Sequence, residues 1–417
     1  MINKIAMLSV HTSPLATLGG KETGGMNVYV RDLSRELSRR NIEVDVYTRS
    51  QDPTAPRVSH ELAEHGRVVY IKAGPEQPYN KNQVYYHLDE FVTHIKSYQV
   101  AYDIIFSHYW LSGIAATALR QYWGIPYAQM FHTLAEMKNR VAQSPAERDT
   151  EQRLNCEGAI MREADRLIAA TPLDKNHMMW AYGAPSDKIE IVPPGVDLTR
   201  FRPIPQAEAK QFLGIPVHHK LILFVGRMQP LKGTETLLRA LAQVKRREPE
   251  LVGDVCLSII GGDPAQDSEL ELREFERLQA LRSDLGIEEM VTFLGAKDQD
   301  TLVYYYSAAE MVVMPSHYES FGMVAIEAMA CGTPVIASDV GGLSFSIEDG
   351  FNGYLVPGQD YKAMADKVRL LLKYPDLGEQ LGEQARAWVQ RYSWVNVADE
   401  ILEVFERTTA HFQRNGR

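Results

Sequence analysis

Short apolar runs alternate with amphipathic stretches along most of this chain. In the first half, residues 5–10, 43–48, 68–72, 103–107, 127–131, 167–170 and 188–192 are β-rich, and several are apolar almost throughout. That is the pattern of parallel strands covered on both faces; a half-exposed strand would alternate. Between the first two runs, residues 27–39 place Val30, Leu33 and Leu37 on one stripe with Arg35, Glu36 and Arg39 opposite, which predicts an amphipathic helix. Strand, helix, strand at this spacing is a βαβ unit, and its repetition predicts a doubly wound parallel sheet.

The pattern breaks at Val192-Pro193-Pro194-Gly195-Val196-Asp197, where two prolines and a glycine stop any element. Strands are then expected at 221–225, 255–260, 291–294, 310–314 and 334–337, with helices near 233–247, 267–285, 299–307 and 321–331. A long helix follows Ser393, with Val397, Ile401, Val404 and Phe405 on one face. The expectation is an α/β chain of two Rossmann-like domains, residues 1–196 and 197–392, facing a central cleft. Residues 393–417 would form a helix returning to the first domain. Ligands in such folds sit at the C-terminal ends of the strands.

Composition narrows the chemistry. The 417 residues are 45% hydrophobic and 24% charged, enough apolar material for folded domains throughout. With 44 basic against 54 acidic residues the net charge is −10, which argues against a nucleic-acid partner or an anionic membrane surface but leaves room for a local basic pocket. Cys156, Cys256 and Cys331 are too few and scattered for a disulfide framework, and read as reduced thiols of a cytoplasmic protein. The first apolar run is too short for an export signal, and the apolar window 323–337 is broken by Glu327 and Gly332-Thr333-Pro334, so no membrane insertion is expected.

Several loops carry residues suited to anions. The first strand is followed by Gly19-Gly20, Gly24-Gly25 and Asn27 just ahead of a helix, where backbone N–H groups can approach a phosphate. The dinucleotide spacing G-x-G-x-x-G is absent, which counts against a nicotinamide or flavin enzyme. In the second half, Gly226-Arg227-Met228-Gln229-Pro230-Leu231-Lys232-Gly233 joins a strand to a helix and offers a guanidinium fork plus a point charge, a pair suited to a diphosphate. Glu319 and Glu327 flank seven residues at another strand-to-helix junction. On one helix they would stand ~12 Å apart, too far for a hydrolase acid/base pair at roughly 5–9.5 Å. Two separate hydrogen-bonding roles fit better, with amides near Phe321, Gly322, Met323 and Val324 between them for phosphate oxygens. Gly341-Gly342 reads as a plain turn. His11, His108 and His132 fall at one rim of the first sheet without carboxylate spacing for a metal. Lys81, Tyr109, Thr133 and Arg153 supply two cations and two hydroxyls, a composition suited to a phosphate monoester.

Together these segments resemble the retaining glycosyltransferases of GT-B architecture, the GT4-type group that includes sucrose-phosphate synthases and bacterial enzymes acting on phosphorylated polyols. The resemblance runs from Lys4 to the C-terminal helix. It rests on Glu319 to Glu327 with Ser320-Phe321-Gly322 inside, and on Gly226-Arg227…Lys232. The opening His11-Thr12-Ser13-Pro14-Leu15…Gly24-Gly25-Met26-Asn27-Val28-Tyr29-Val30 most resembles mycothiol-pathway enzymes that transfer N-acetylglucosamine to inositol phosphate; sucrose-phosphate synthases read Gly-Gly-Gln where this chain has Gly24-Gly25-Met26.

The resemblance implies a retaining hexosyl transfer from UDP-glucose or UDP-N-acetylglucosamine to an acceptor such as fructose 6-phosphate or inositol phosphate. It implies that Glu327 holds the ribose, Arg227 and Lys232 the diphosphate, Glu319 the sugar hydroxyls, and His132 the donor sugar, with Gly24, Gly25, Phe321, Gly322, Met323 and Val324 lining the donor. Lys81, Tyr109, Thr133, Arg153 and Asn27 would take the acceptor phosphate. No cofactor and no catalytic metal are implied, and the group contains both monomers and homo-oligomers. A same-fold nucleotide-sugar epimerase or phosphorylase, and a non-catalytic UDP-sugar sensor, are the alternatives.

Overall fold

A computed structural model describes residues 1–16, 24–78, 80–142, 144–262 and 268–415. The chain divides into two compact units, with the breaks at Gly195/Val196 and Ser393/Trp394.

The first unit is built on eight strands: β1 (Lys4–Leu8), β2 (Glu43–Arg49), β3 (Val58–Ala63), β4 (Gly66–Ile71), β5 (Ile104–His108), β6 (Tyr127–Met130), β7 (Arg166–Ala169) and β8 (Ile189–Ile191). Their order is β3-β4-β2-β1-β5-β6-β7-β8, parallel except for β3, which runs antiparallel to β4. The apolar runs of β1 and β5 are fully buried because helices cover both faces. β3 was not expected: its sequence VSHELA mixes polar and apolar residues and buries only one of them, so it carries no burial pattern and owes its place to the backbone of β4. The helix Gly25–Arg39 follows β1. The closing helix Trp394–Asn415 packs in this same unit, with Trp394 5.4 Å from the Tyr29 ring, Phe405 5.2 Å from Phe106, and Arg40 bonded to Asp399.

The second unit has six parallel strands, β9 (Lys220–Val225), β10 (Val255–Ile260), β11 (Val291–Phe293), β12 (Ala309–Met314), β13 (Val335–Ser338) and β14 (Gly353–Val356), in the order β11-β10-β9-β12-β13-β14. β14 is another strand the apolar pattern did not announce, being four residues that begin with glycine. Ile222, Phe224, Leu257, Ile259 and Val313 join Leu237 and Leu241 of the helix Thr234–Arg247 in one core.

Strand order determines where ligands can be held. From β1 the chain winds to β2 on one side and later returns to β5 on the other; from β9 it winds to β10 and later returns to β12. Each unit thus has a topological switch point, between β1 and β5 and between β9 and β12, where the loops diverge and leave a crevice beyond the carboxyl ends of the strands.

Candidate active site

In the second unit the loops at that crevice are residues 226–233 after β9 and 315–322 after β12. They meet directly: Lys232 Nζ lies 2.6 Å from Glu319 Oε2, with both side chains partly exposed. Ser316 also donates to Glu319 Oε2, at 3.4 Å, and no described residue donates to Oε1. The approach is possible because Gly233 (φ +65°) has no side chain; a Cβ there would lie 2.0 Å from the Pro315 carbonyl oxygen. On the far side Gly341 and Gly342 clamp the same loop. The N–H of Gly342 donates to the Glu319 carbonyl at 2.8 Å, and a Cβ on Gly341 would fall 1.9 Å from that oxygen. The pair expected to be a plain turn is therefore what holds Glu319 in place.

Arg227 is held differently. Its guanidinium pairs with Glu271 at 2.7 Å, and Gln229 donates to the same carboxylate. Glu271 is the N3 residue of a capping box that starts the helix Glu269–Asp284 at Ser268. Burial opposes its charge, yet Arg227 and the Ser268 donors outweigh that and lower its pKa. Composition gave no hint of Glu271; its place three residues after a capping serine was the readable signal.

Glu319 and Glu327 do not share a helix. The helix is Met323–Ala330, opened by Gly322 at φ +93°, and Glu319 stands in the loop before it. Phe321 is buried against Tyr392. The first-turn amides of Met323 and Val324 have no intrahelical acceptor, as at any helix start. Glu327 is buried and accepts from Tyr306 at 2.8 Å and Gln299 at 3.3 Å, so its first task is to satisfy two buried donors. Burial, then the neighbouring Glu327 charge, pushes the Tyr306 hydroxyl well above its ordinary value, so it remains a donor.

In the first unit, residues at the β1/β5 crevice converge on Tyr109, which opens the helix Tyr109–Trp123 at φ +73°. The His11 ring lies 4.6 Å from the Tyr109 ring, the Arg153 guanidinium 4.6 Å above it and Lys81 Nζ 6.0 Å away. Thr150 caps the helix Glu151–Glu163 and so places Arg153 in its first turn, where it is buried. Its fork donates to the Thr133 carbonyl (2.7 Å) and Oγ1 (3.2 Å), to Asp149 (2.9 Å) and to Glu157 (2.7 Å). Lys138 also reaches Asp149, at 2.9 Å. Burial works against the Asp149 charge, but Arg153 and Lys138 prevail and lower its pKa. Among the described residues, Arg153 and Lys138 thus share the Asp149 carboxylate, and Arg153 also binds Glu157. Lys81, Tyr109, Thr133 and Arg153 are brought together. Asn27 is not joined to them by any hydrogen bond among the described residues: its amide nitrogen donates to Thr12 Oγ1 and the Ser13 carbonyl, and its oxygen takes the Gly24 N–H, fastening the β1 loop to the helix that begins at Gly25. The glycines at 19–20 lie outside the described residues.

His132 follows β6 at φ +61°, a left-handed backbone that residues with a side chain seldom adopt, and its Nε2 lies 3.0 Å from Nδ1 of the fully buried His108. Burial, with His11 second, pushes the His132 pKa down to about 3, and burial takes His108 well below its ordinary value. Among the described residues the His and carboxylate groups close enough to share an ion are His218, His219 and Asp254, at the opposite, amino end of the second sheet. No described helix is long and apolar enough to cross a membrane.

Comparisons with known proteins cover both units. Residues 23–200 match the family model described as Glycosyltransferase Family 4, and residues 205–388 match Glycosyl transferases group 1. The chain is 38% identical over 415 residues to D-inositol 3-phosphate glycosyltransferase of Saccharomonospora viridis, covering 98% of this chain and 95% of that protein. It is 39% identical over 421 residues to the enzyme of that description from Acidothermus cellulolyticus, covering 99% and 93%. Among solved structures, sucrose-phosphate synthase from Thermosynechococcus elongatus superposes with a TM-score of 0.90 at 36% identity, covering 98% of this chain and all of the other. Anabaena HepE in complex with UDP and glucose shares the fold at 20% identity and a TM-score of 0.75, covering 97% of this chain and all of the other.

Proposed function

From the premise that this chain belongs to the group 1, family 4 glycosyltransferases and has the GT-B fold, we propose that it transfers a hexosyl group, with retention, from UDP-glucose or UDP-N-acetylglucosamine to a phosphorylated sugar or polyol. The observation that carries the phosphorylated acceptor is the gathering of Arg153 and Lys81 about Tyr109, with the buried Arg153 fork also bonded to Thr133 and sharing Asp149 with Lys138. A relative described as a D-inositol 3-phosphate glycosyltransferase and one described as a sucrose-phosphate synthase stand at similar identity, so fructose 6-phosphate and inositol phosphate are the acceptors of this reading.

The second unit would hold the nucleotide. Lys232 and Arg227 are already oriented by Glu319 and Glu271, and the first-turn amides of Met323 and Val324 would add donors for the diphosphate. Glu319 Oε1 would accept from sugar hydroxyls, and Glu327 would use its remaining lone pairs on the ribose. As the bond between the sugar anomeric carbon and the β-phosphate oxygen breaks, negative charge grows on that phosphate, and fixed cations stabilise it. The acceptor hydroxyl oxygen forms the new bond on the same face and passes its proton to the departing phosphate oxygen. Free UDP and the glycoside result, with no covalent enzyme intermediate.

UDP release measured for both donors against fructose 6-phosphate and inositol phosphate tests this, with fructose and inositol as controls. Turnover should require the phosphate group, and NMR should show the donor's anomeric configuration in the product. Equal turnover of the dephosphorylated acceptors, or an inverted product, refutes it.

A further inference from the structure

The contact between His108 and His132 fixes which nitrogen of each ring carries the proton. With both imidazoles neutral, one must donate across the 3.0 Å between His108 Nδ1 and His132 Nε2. If His132 donated from Nε2, the proton of His108 would sit on its own Nε2. That atom is buried and has no hydrogen-bonding partner among the described residues. The rings packed against the His108 imidazole, Phe106 and Tyr29 at 4.2 and 5.5 Å between ring centroids, offer only weak π acceptors. An orphaned buried N–H is among the rarest and costliest features of a folded protein, whereas an unused lone pair is tolerated more readily. We propose that His108 donates from Nδ1 and is a positioning residue that locks His132 as its Nδ1–H tautomer, making His132 a hydrogen-bond donor toward a substrate oxygen and barring it from serving as a general base.

The geometry supports this in three ways. His108 ends β5 and is completely enclosed, so its ring has no room to turn, while His132 is only half-buried. The Tyr29 ring stands edge-on 5.1 Å from His132 and restricts the second imidazole. The strained φ of His132 is the sort of feature that persists where surrounding contacts over-determine a functional side chain. The lone pair on His132 Nε2 is already committed to His108, so the only group it can offer a sugar oxygen is an N–H.

The tautomer does not depend on the proposed transfer; the role of His132 toward substrate rests on that reading. Histidine-selective 15N NMR of the full chain at neutral pH reads the tautomers directly. A protonated Nδ1 and bare Nε2 are expected on both rings, and a protonated Nε2 on both would overturn the proposal. His108→Asn keeps a donor near the Nδ1 position and should preserve the His132 signature. His108→Phe removes the donor and should mix the His132 tautomers, lowering kcat by roughly tenfold or more with KM little changed. An unmixed His132 signature in a folded His108→Phe variant would also overturn it. Should that variant not fold, the wild-type spectrum still decides. If the tautomers are as proposed but no acceptor is turned over, the transfer reading fails and the tautomer assignment stands.

Discussion

Gly233→Ala probes whether backbone contact between two loops of the second unit governs nucleotide binding. Gly233 has φ +65°, which costs an alanine about 1–2 kcal/mol. Its Cβ would also lie 2.0 Å from the Pro315 carbonyl oxygen, a separation real Cβ atoms do not show, so the loops must part by about 1 Å. Overpacking of that kind adds about 1–3 kcal/mol. Lys232 is the adjacent residue, and His317 N–H donates to the Leu231 carbonyl at 2.9 Å across the same seam, so the displacement reaches the Lys232–Glu319 pair. A shift of about 1 Å at positioned groups can cost about 10²-fold in function. Gly214→Ala supplies the control. Gly214 has φ +69° after the helix Gln206–Phe212, but a Cβ there meets nothing within 4 Å. Both variants pay the conformational term; only Gly233→Ala pays the steric one. Differential scanning calorimetry should show the larger loss of Tm for Gly233→Ala, at about 2–4 °C per kcal/mol, and titration with UDP should show weakened binding for it alone. Equal Tm losses with unchanged UDP affinity in both would refute the reasoning.

Lys232→Ala should reduce kcat by about 10²–10³-fold if the ammonium stabilises charge on the leaving phosphate, and UDP-release kinetics within threefold of wild type would contradict that role. His108 and His132 are held neutral by burial, so as pH falls below about 6.5 the unfolded chain takes up protons that the folded chain refuses; the stability is present above that pH and is lost at up to about 1.4 kcal/mol per pH unit for each ring. Urea unfolding at pH 7.5 and pH 5.5 should show it, and equal midpoints would count against the two buried neutral rings. Arg153→Met leaves the fully enclosed Glu157 and the buried Asp149 without their common cation and should cost about 3–5 kcal/mol; a loss below 1 kcal/mol by chemical denaturation would mean the cluster does not depend on Arg153.

Local pattern alone determined much of this protein. The apolar runs of β1, β5, β9 and β10 announced buried parallel strands, and the amphipathic stripe after β1 announced its helix, because burial writes its periodicity into adjacent residues. β3 and β14 left no such trace, one burying a single residue and the other being short, and both are placed by pairing with a neighbouring backbone. The spacing of Glu319 and Glu327 was readable, as was the company of Lys81, Tyr109, Thr133 and Arg153 on loops of one rim. What each of these side chains touches was not. Lys232 meets Glu319 across 87 positions, Arg227 meets Glu271, Gly341 presses on the Glu319 carbonyl, and His108 turns toward His132, each decided by strand order and register between segments far apart in sequence. Periodicity records whether a residue is buried; only the folding of distant strands into one sheet decides against what.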